Sequence, residues 1–150
     1  MAIGYPTSFE MLRYWAAENN VSVSEARKRF AQYAILQAIS SSRAFRTLLV
    51  FKGGNALDFV WHPNRSTTDL DFSADMDVLV TAIPEWDTKK LMSYIEVHLG
   101  RTLQNATRNT GVALRVHRIR QQPPGEQSTF ITYEARIGYA LPDDLRNRER

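Results

Sequence analysis

Residues 51–73 read "FKGGNALDFVWHPNRSTTDLDFS", with two glycines at the mouth of a short apolar segment, a turn-rich interruption, and then two aspartates either side of a leucine. Glycines between a strand and a helix N-terminus let the backbone come close to a ligand, and the first helical amides with the macrodipole then hold an anion, most often phosphate. Asp69 and Asp71 are spaced by two, which on a strand puts both carboxylates on one side within reach of one hard cation. Mg²⁺, or Mn²⁺ in its place, takes one or two protein carboxylates and completes its shell with water and substrate phosphates. Two such ions would activate an attacking hydroxyl and stabilise the pyrophosphate leaving group of a nucleotide. An isolated Asp-x-Asp is usually a solvent-facing strand end. Here it follows the glycine turn by one short helix, which is the order that a phosphate cradle opposite a metal site requires.

Outward from this stretch, Thr47 to Phe51 is a continuous apolar run ended by Gly53-Gly54, read as a strand buried on both faces. Asn55 to Trp61 is read as a short helix that must stop before Pro63. Thr67 to Phe72 alternates, with Leu70 and Phe72 on one face and the aspartates on the other. Upstream, Thr7-x-x-Glu10 and Ser22-x-x-Glu25 read as capping boxes of two helices, the first running to Asn19-Asn20 and the second to the serines at 40–42. Downstream, Asp87-Thr88 caps a helix through Leu91, Ile95, Leu99 and Leu103 to about Asn105. Val112 to Ile119 and Thr129 to Tyr139 are strands around the turn "QQPPGEQS", the second with Thr132, Glu134 and Arg136 opposite its apolar face. The fold class is α+β, a mixed sheet with helices packed mainly on one face. A single domain over 1–150 divides into N-terminal helices (1–45), a mixed-sheet core (46–141) and a charged, solvated tail (142–150).

Composition bounds the function classes. Apolar residues make up 43% and charged residues 23% of the 150, ordinary globular values. With no cysteine, disulfides, thiolate zinc sites and cysteine nucleophiles are excluded. No signal-like or membrane-spanning apolar stretch is present, so a cytoplasmic protein without a membrane partner is expected. The net charge of +3 is unevenly spread. From Asp58 to Thr88 seven acids face the single cation Arg65, whereas Val97 to Gly125 contains Arg101, Arg108, Arg115, Arg118 and Arg120 and no acid. One segment suits a cation and the other a phosphate chain, with two solvated faces as the plain alternative. His62, His98 and His117 lack ligand spacing, and Trp61 and Trp86 read as packing residues.

The string formed by Phe51, Lys52, Gly53, Gly54, Ala56, Leu57, Arg65, Ser66, Asp69, Leu70, Asp71, Phe72 and Ser73 resembles that of the AbiEii/AbiGii-like nucleotidyltransferase toxins, a branch of the polymerase-beta-like nucleotidyltransferase superfamily. The resemblance implies that superfamily's core fold, with Gly53 and Gly54 lining the triphosphate, and Lys52, Asn55, Arg65 and Ser66 around it. Asp69 and Asp71 would be catalytic metal ligands. It also implies a third carboxylate from a later strand, for which Glu134 is the candidate, with an exposed glutamate paired to Arg136 or a neighbouring strand as the alternative. Lys52 either reaches phosphate or snorkels from a strand end, and Arg65 either binds phosphate or neutralises the aspartates. Asn55 departs from the family's threonine or serine but still caps and donates. After Leu141 nothing resembles the family's helical half, with its glutamate-lysine step and arginine-aspartate pair. The expectation is therefore a truncated chain, one half of a split enzyme partnered by a separate helical chain, or a natural minimal form.

The resemblance implies an Mg²⁺-dependent transferase of a nucleoside monophosphate from an NTP to an RNA, such as a tRNA 3′ end, or another hydroxyl acceptor. As the toxin of a type IV toxin–antitoxin or abortive-infection (phage-defence) system it would have a cognate antitoxin. A non-catalytic nucleotide- or partner-binding remnant is the rival.

Overall fold

The computed structural model describes residues 4–52, 70–122 and 131–148. Two helices open it. The first, α1 (Leu12–Glu18), begins later than Thr7-x-x-Glu10 suggests: residues 8–11 form bends and turns, and Met11 at the N-cap supplies no side-chain acceptor. The second, α2 (Val23–Ser41), starts where expected, because the Ser22 hydroxyl accepts from the Glu25 amide at 3.0 Å. The Glu25 carboxylate reaches Lys28 and the buried guanidinium of Arg29, which also lies 5.5 Å from the Tyr5 ring.

Residues 43–48 form a turn that buries Phe45 and Leu48 before β1 (Leu49–Lys52). That strand is shorter and more open than an apolar run implies: its residues alternate in exposure, and Val50 is 55% exposed. It pairs antiparallel with β2 (Asp71–Ala74). A helix absent from the periodicity reading follows, α3 (Met76–Ala82), capped by the Asp75 carboxylate, which accepts from the amides of Asp77 and Val78. Next comes α4 (Thr88–Thr110), capped by Asp87 at 2.8 Å from the Lys90 amide. It runs beyond Asn105 until Gly111, at φ 74°, takes the left-handed conformation that ends a helix with little strain.

The long strands β3 (Ala113–Gln122) and β4 (Thr132–Ala140) form a second antiparallel ribbon. Residues 142–148 are not a loose tail. They form α5 (Pro142–Arg148), tied to α2 by Arg27, which donates to Asp143 at 2.8 and 3.0 Å and to Asp144 at 2.9 Å. These observations make the protein α+β.

Two apolar clusters hold the elements together. The first joins α1 and α2, through Trp15 and Phe30, to Val112 and Leu141 at the outer ends of β3 and β4. The second gathers Phe45, Leu48, Leu79, Leu99 and Leu103, and both ribbons pack on it, through Leu49 and Phe72 from one and Val116, Ile119 and Ile137 from the other. Truncating Leu103, 1% exposed, would cost about 2–5 kcal/mol by lost burial and a residual cavity. Among the described residues no helix is long and apolar enough to cross a membrane.

Candidate active site

The site is built on the first ribbon. Its register opposes Leu49 to Ala74, Val50 to Ser73, Phe51 to Phe72 and Lys52 to Asp71. Opposed residues share a face, so Leu49, Phe51 and Phe72 turn together, with the Phe51 and Phe72 rings 5.4 Å apart and Phe72 on the second apolar cluster. The opposite face carries Val50, Lys52, Asp71 and Ser73, all exposed. One end of the ribbon is closed by the Asp75 amide donating to the Leu48 carbonyl at 2.7 Å, just where Asp75 also caps α3. The other end is the pair Lys52 and Asp71.

Of the residues that sequence reasoning selects, the ribbon thus brings Lys52 and Asp71 together. Gly53, Gly54, Asn55, Arg65, Ser66 and Asp69 lie outside the described residues, as do the helix expected over Asn55 to Trp61 and the residues His62 and Trp61. Asp71 is an exposed oxygen donor at a strand start, and among the described residues no cation holds it in an ion pair.

Glu134 sits differently. It lies on the second ribbon opposite Arg120, and its carboxylate is 3.3 Å from the Arg120 guanidinium and 3.4 Å from that of Arg136. This is the arginine-paired alternative of the sequence reading. To bind a cation, Glu134 would exchange both of these partners for it. Among the described residues no group of three histidines or carboxylates is arranged to hold a metal. His98 packs against Tyr94 and Phe45, and Trp86 rests on the second cluster.

Two features escape sequence reasoning. Asp75 anchors the carboxylate strand through its cap, a signal present as an aspartate followed by another acid in the first turn. The second is a register shift in β3 between Val116 and Arg118, for which the sequence offers no local sign.

A comparison with family models matches residues 34–147 to the family described as "Nucleotidyl transferase AbiEii toxin, Type IV TA system". The match begins inside α2, ends inside α5 and contains both ribbons. No curated protein and no solved structure matches the chain.

Proposed function

Because the chain belongs to the AbiEii family of nucleotidyltransferase toxins from type IV toxin–antitoxin systems, we propose that it transfers a nucleoside monophosphate from an NTP to a hydroxyl of an RNA acceptor, with Mg²⁺ or Mn²⁺ bound at Asp69 and Asp71. The observation that carries this reading is the opposition of Lys52 and Asp71. It joins the strand leading into Gly53-Gly54 to the strand leaving the aspartate pair, so the phosphate-binding and metal-binding halves of the motif start from one ribbon end.

The acceptor oxygen bonds to the α-phosphorus, the bond from that phosphorus to the bridging oxygen breaks, and pyrophosphate leaves while the hydroxyl proton passes to solvent. When bound, the divalent cations supply charge for the attacking and leaving oxygens. The chain's own part is positioning and electrostatics. Backbone amides following Lys52 hold the triphosphate, with Lys52, Arg65 and Ser66 adding donors. Asp71 is fixed by the Phe51–Phe72 contact and the Asp75 anchor behind it. The reading rests on Asp69 and Asp71; Glu134 contributes only if it leaves its arginines. A cognate antitoxin would oppose the activity in the cell.

The test offers each labelled NTP to total RNA with Mg²⁺ and with EDTA. Label should enter RNA only with the metal, and Asp71→Asn should abolish incorporation while leaving the thermal midpoint near native. Mg²⁺ with NTP should also raise the wild-type midpoint, because a ligand of the folded state stabilises it by mass action. A midpoint shift without incorporation from any NTP would replace the enzyme with a nucleotide-binding remnant; neither signal would remove the site. Gly54→Val should lose NTP affinity before it loses the fold, as backbone approach to phosphate demands.

A further inference from the structure

The shift in β3 decides which side of the second ribbon is charged. Val116 opposes Ile137 and Arg118 opposes Arg136, so β3 spends two steps where β4 spends one, and His117 is the extra residue. Strict alternation from Leu114 would send Arg118 and Arg120 to the same side as Val116 and put Ile119 outside. With the bulge, Leu114, Val116, Ile119 and Ile137 all pack on the second apolar cluster. Arg115, Arg118 and Arg120 share the other face with Glu134 and Arg136.

This face has a composition that folding alone does not account for. Arg118 stands directly across from Arg136, and like charges in opposed positions destabilise a sheet. Its acid, Glu134, serves Arg120 and Arg136. Arg115 and Arg118 are exposed and, among the described residues, neither has an ion-pair or hydrogen-bond partner. The bulge is accommodated by Gly138: the His117 ring occupies the place of a Cβ there, with its Cδ2 2.8 Å from that position. The face holds no large apolar residue, whereas protein interfaces are anchored by buried aromatic and aliphatic side chains. Alternate residues of one strand face recur every 6–7 Å or so, close to the phosphate repeat of an extended nucleic-acid strand.

We propose that the outer face of β3–β4, formed by Arg115, Arg118, Arg120 and Arg136, is a binding surface for the phosphate backbone of single-stranded RNA, gripped without regard to base sequence. That this RNA is the acceptor rests on the function proposed above; the surface itself does not. Its test therefore needs no catalysis. A mixed-sequence RNA of about 20 nucleotides is titrated with the full chain in EDTA, without NTP, between roughly 50 and 200 mM salt, with fluorescence anisotropy as the readout.

Wild type should bind with an affinity that falls steeply with salt. Arg118→Gln/Arg136→Gln should flatten the log–log salt slope by about 1.4 and weaken binding by roughly a hundredfold at the lowest salt, about tenfold per lost contact. Arg115→Gln should show about half of each effect on the logarithmic scale, and decides the matter should the double variant fail to fold. Arg13→Gln/Lys89→Gln, with the same change in net charge, should bind as wild type does. Asp71→Asn should also bind normally even where transfer is abolished, which separates failure of this surface from failure of the transferase reading. The proposal is overturned if wild type does not bind RNA, if the arginine variants keep its affinity and slope, if the control variant loses as much, or if polyglutamate binds as tightly as RNA.

Discussion

The ribbon of β1 and β2 and the ribbon of β3 and β4 rest on the same apolar cluster, the first through Phe72 and the second through Ile137. Their outer faces differ in kind. On the first, a cation stands across from an anion, Lys52 from Asp71; on the second, Arg118 stands across from Arg136. The first ribbon has four residues per strand and ends at Lys52 and Asp71, inside the motif, so it acts as a short mount for two chain ends. The second has strands of ten and nine residues and uses its length to display charge. One shared core therefore supports two surfaces with separate electrostatic tasks, and the difference lies in register rather than in the core.

The largest expected effect breaks that register. Inserting an alanine between Arg118 and Ile119 adds a second extra residue in β3, which turns Arg120 inward and Ile119 outward. Stability should fall by more than about 4 kcal/mol in a denaturant titration, the range reserved for buried unpaired charge or a disrupted core. His117→Ala, which keeps the residue count, should stay within roughly 0.5 kcal/mol of wild type because the side chain is exposed. Deleting His117 removes the bulge and leaves Arg118 across from Arg136 and Ile119 on the cluster, so it should cost far less than the insertion; equal costs would show that register does not set the face.

Next in size is the mount. Phe72→Ala removes both the contact to Phe51 and the seat on the cluster, and should cost about 3 kcal/mol, the low end for phenylalanine because the ring is only partly buried. NTP binding, measured beside the thermal midpoint, should weaken more than RNA binding does. The reverse order would dissolve the division of labour between the ribbons.

A charge pair outside both ribbons calibrates them. The Arg27 guanidinium hydrogen-bonded to Asp143 holds that carboxyl below its usual value. A depressed folded-state value means stability that is fully present above about pH 3.9, the unfolded value, and lost as pH falls through the lower folded one. Both partners are well solvated, so the contribution should be about 1 kcal/mol or less. Arg27→Gln should remove it at neutral pH and flatten the acid limb of the stability profile.

The smallest effects should have opposite signs. Lys52→Gln loses an attraction to Asp71 and should destabilise by about 0.2 kcal/mol, at the low end for opposed charges since the pair is exposed. Arg118→Gln relieves a repulsion and should stabilise by a similar amount, with added salt erasing both differences. Matching signs would make the two faces electrostatically alike.

The parts of the fold legible in the sequence were those marked by local chemistry. Ser22 and Asp87 announce helices because a side-chain acceptor must meet free amides, and β4 shows its faces by alternation. Thr7-x-x-Glu10 carries the same letters and is not used, since the chain there turns before Leu12. The seven-residue α3 is too short for its period to stand out, and buries only Leu79 fully. Val50 lies in a continuous apolar run yet faces solvent, because such runs do not reveal how many sides of a strand are covered. The acidic start of α5 looks like a solvated end until Arg27, distant in sequence, is placed beside it. At the site, the opposition of Lys52 and Asp71 follows from a motif whose ends must meet, whereas the arginine face depends on a bulge that absorbs His117, which no pattern of period two reveals.

The first apolar cluster closes only when Ala34 and Phe30 from α2 meet Leu141. At synthesis rates of about 5–20 residues per second, roughly 5–20 s separate the translation of Ala34 from that of Leu141. For that interval Trp15 and Phe30 lack part of their native cover, so the nascent chain is open to chaperones and proteases before it can become a toxin. The cell's dose of active protein is thereby set by a late, long-range closure as well as by how often the message is read.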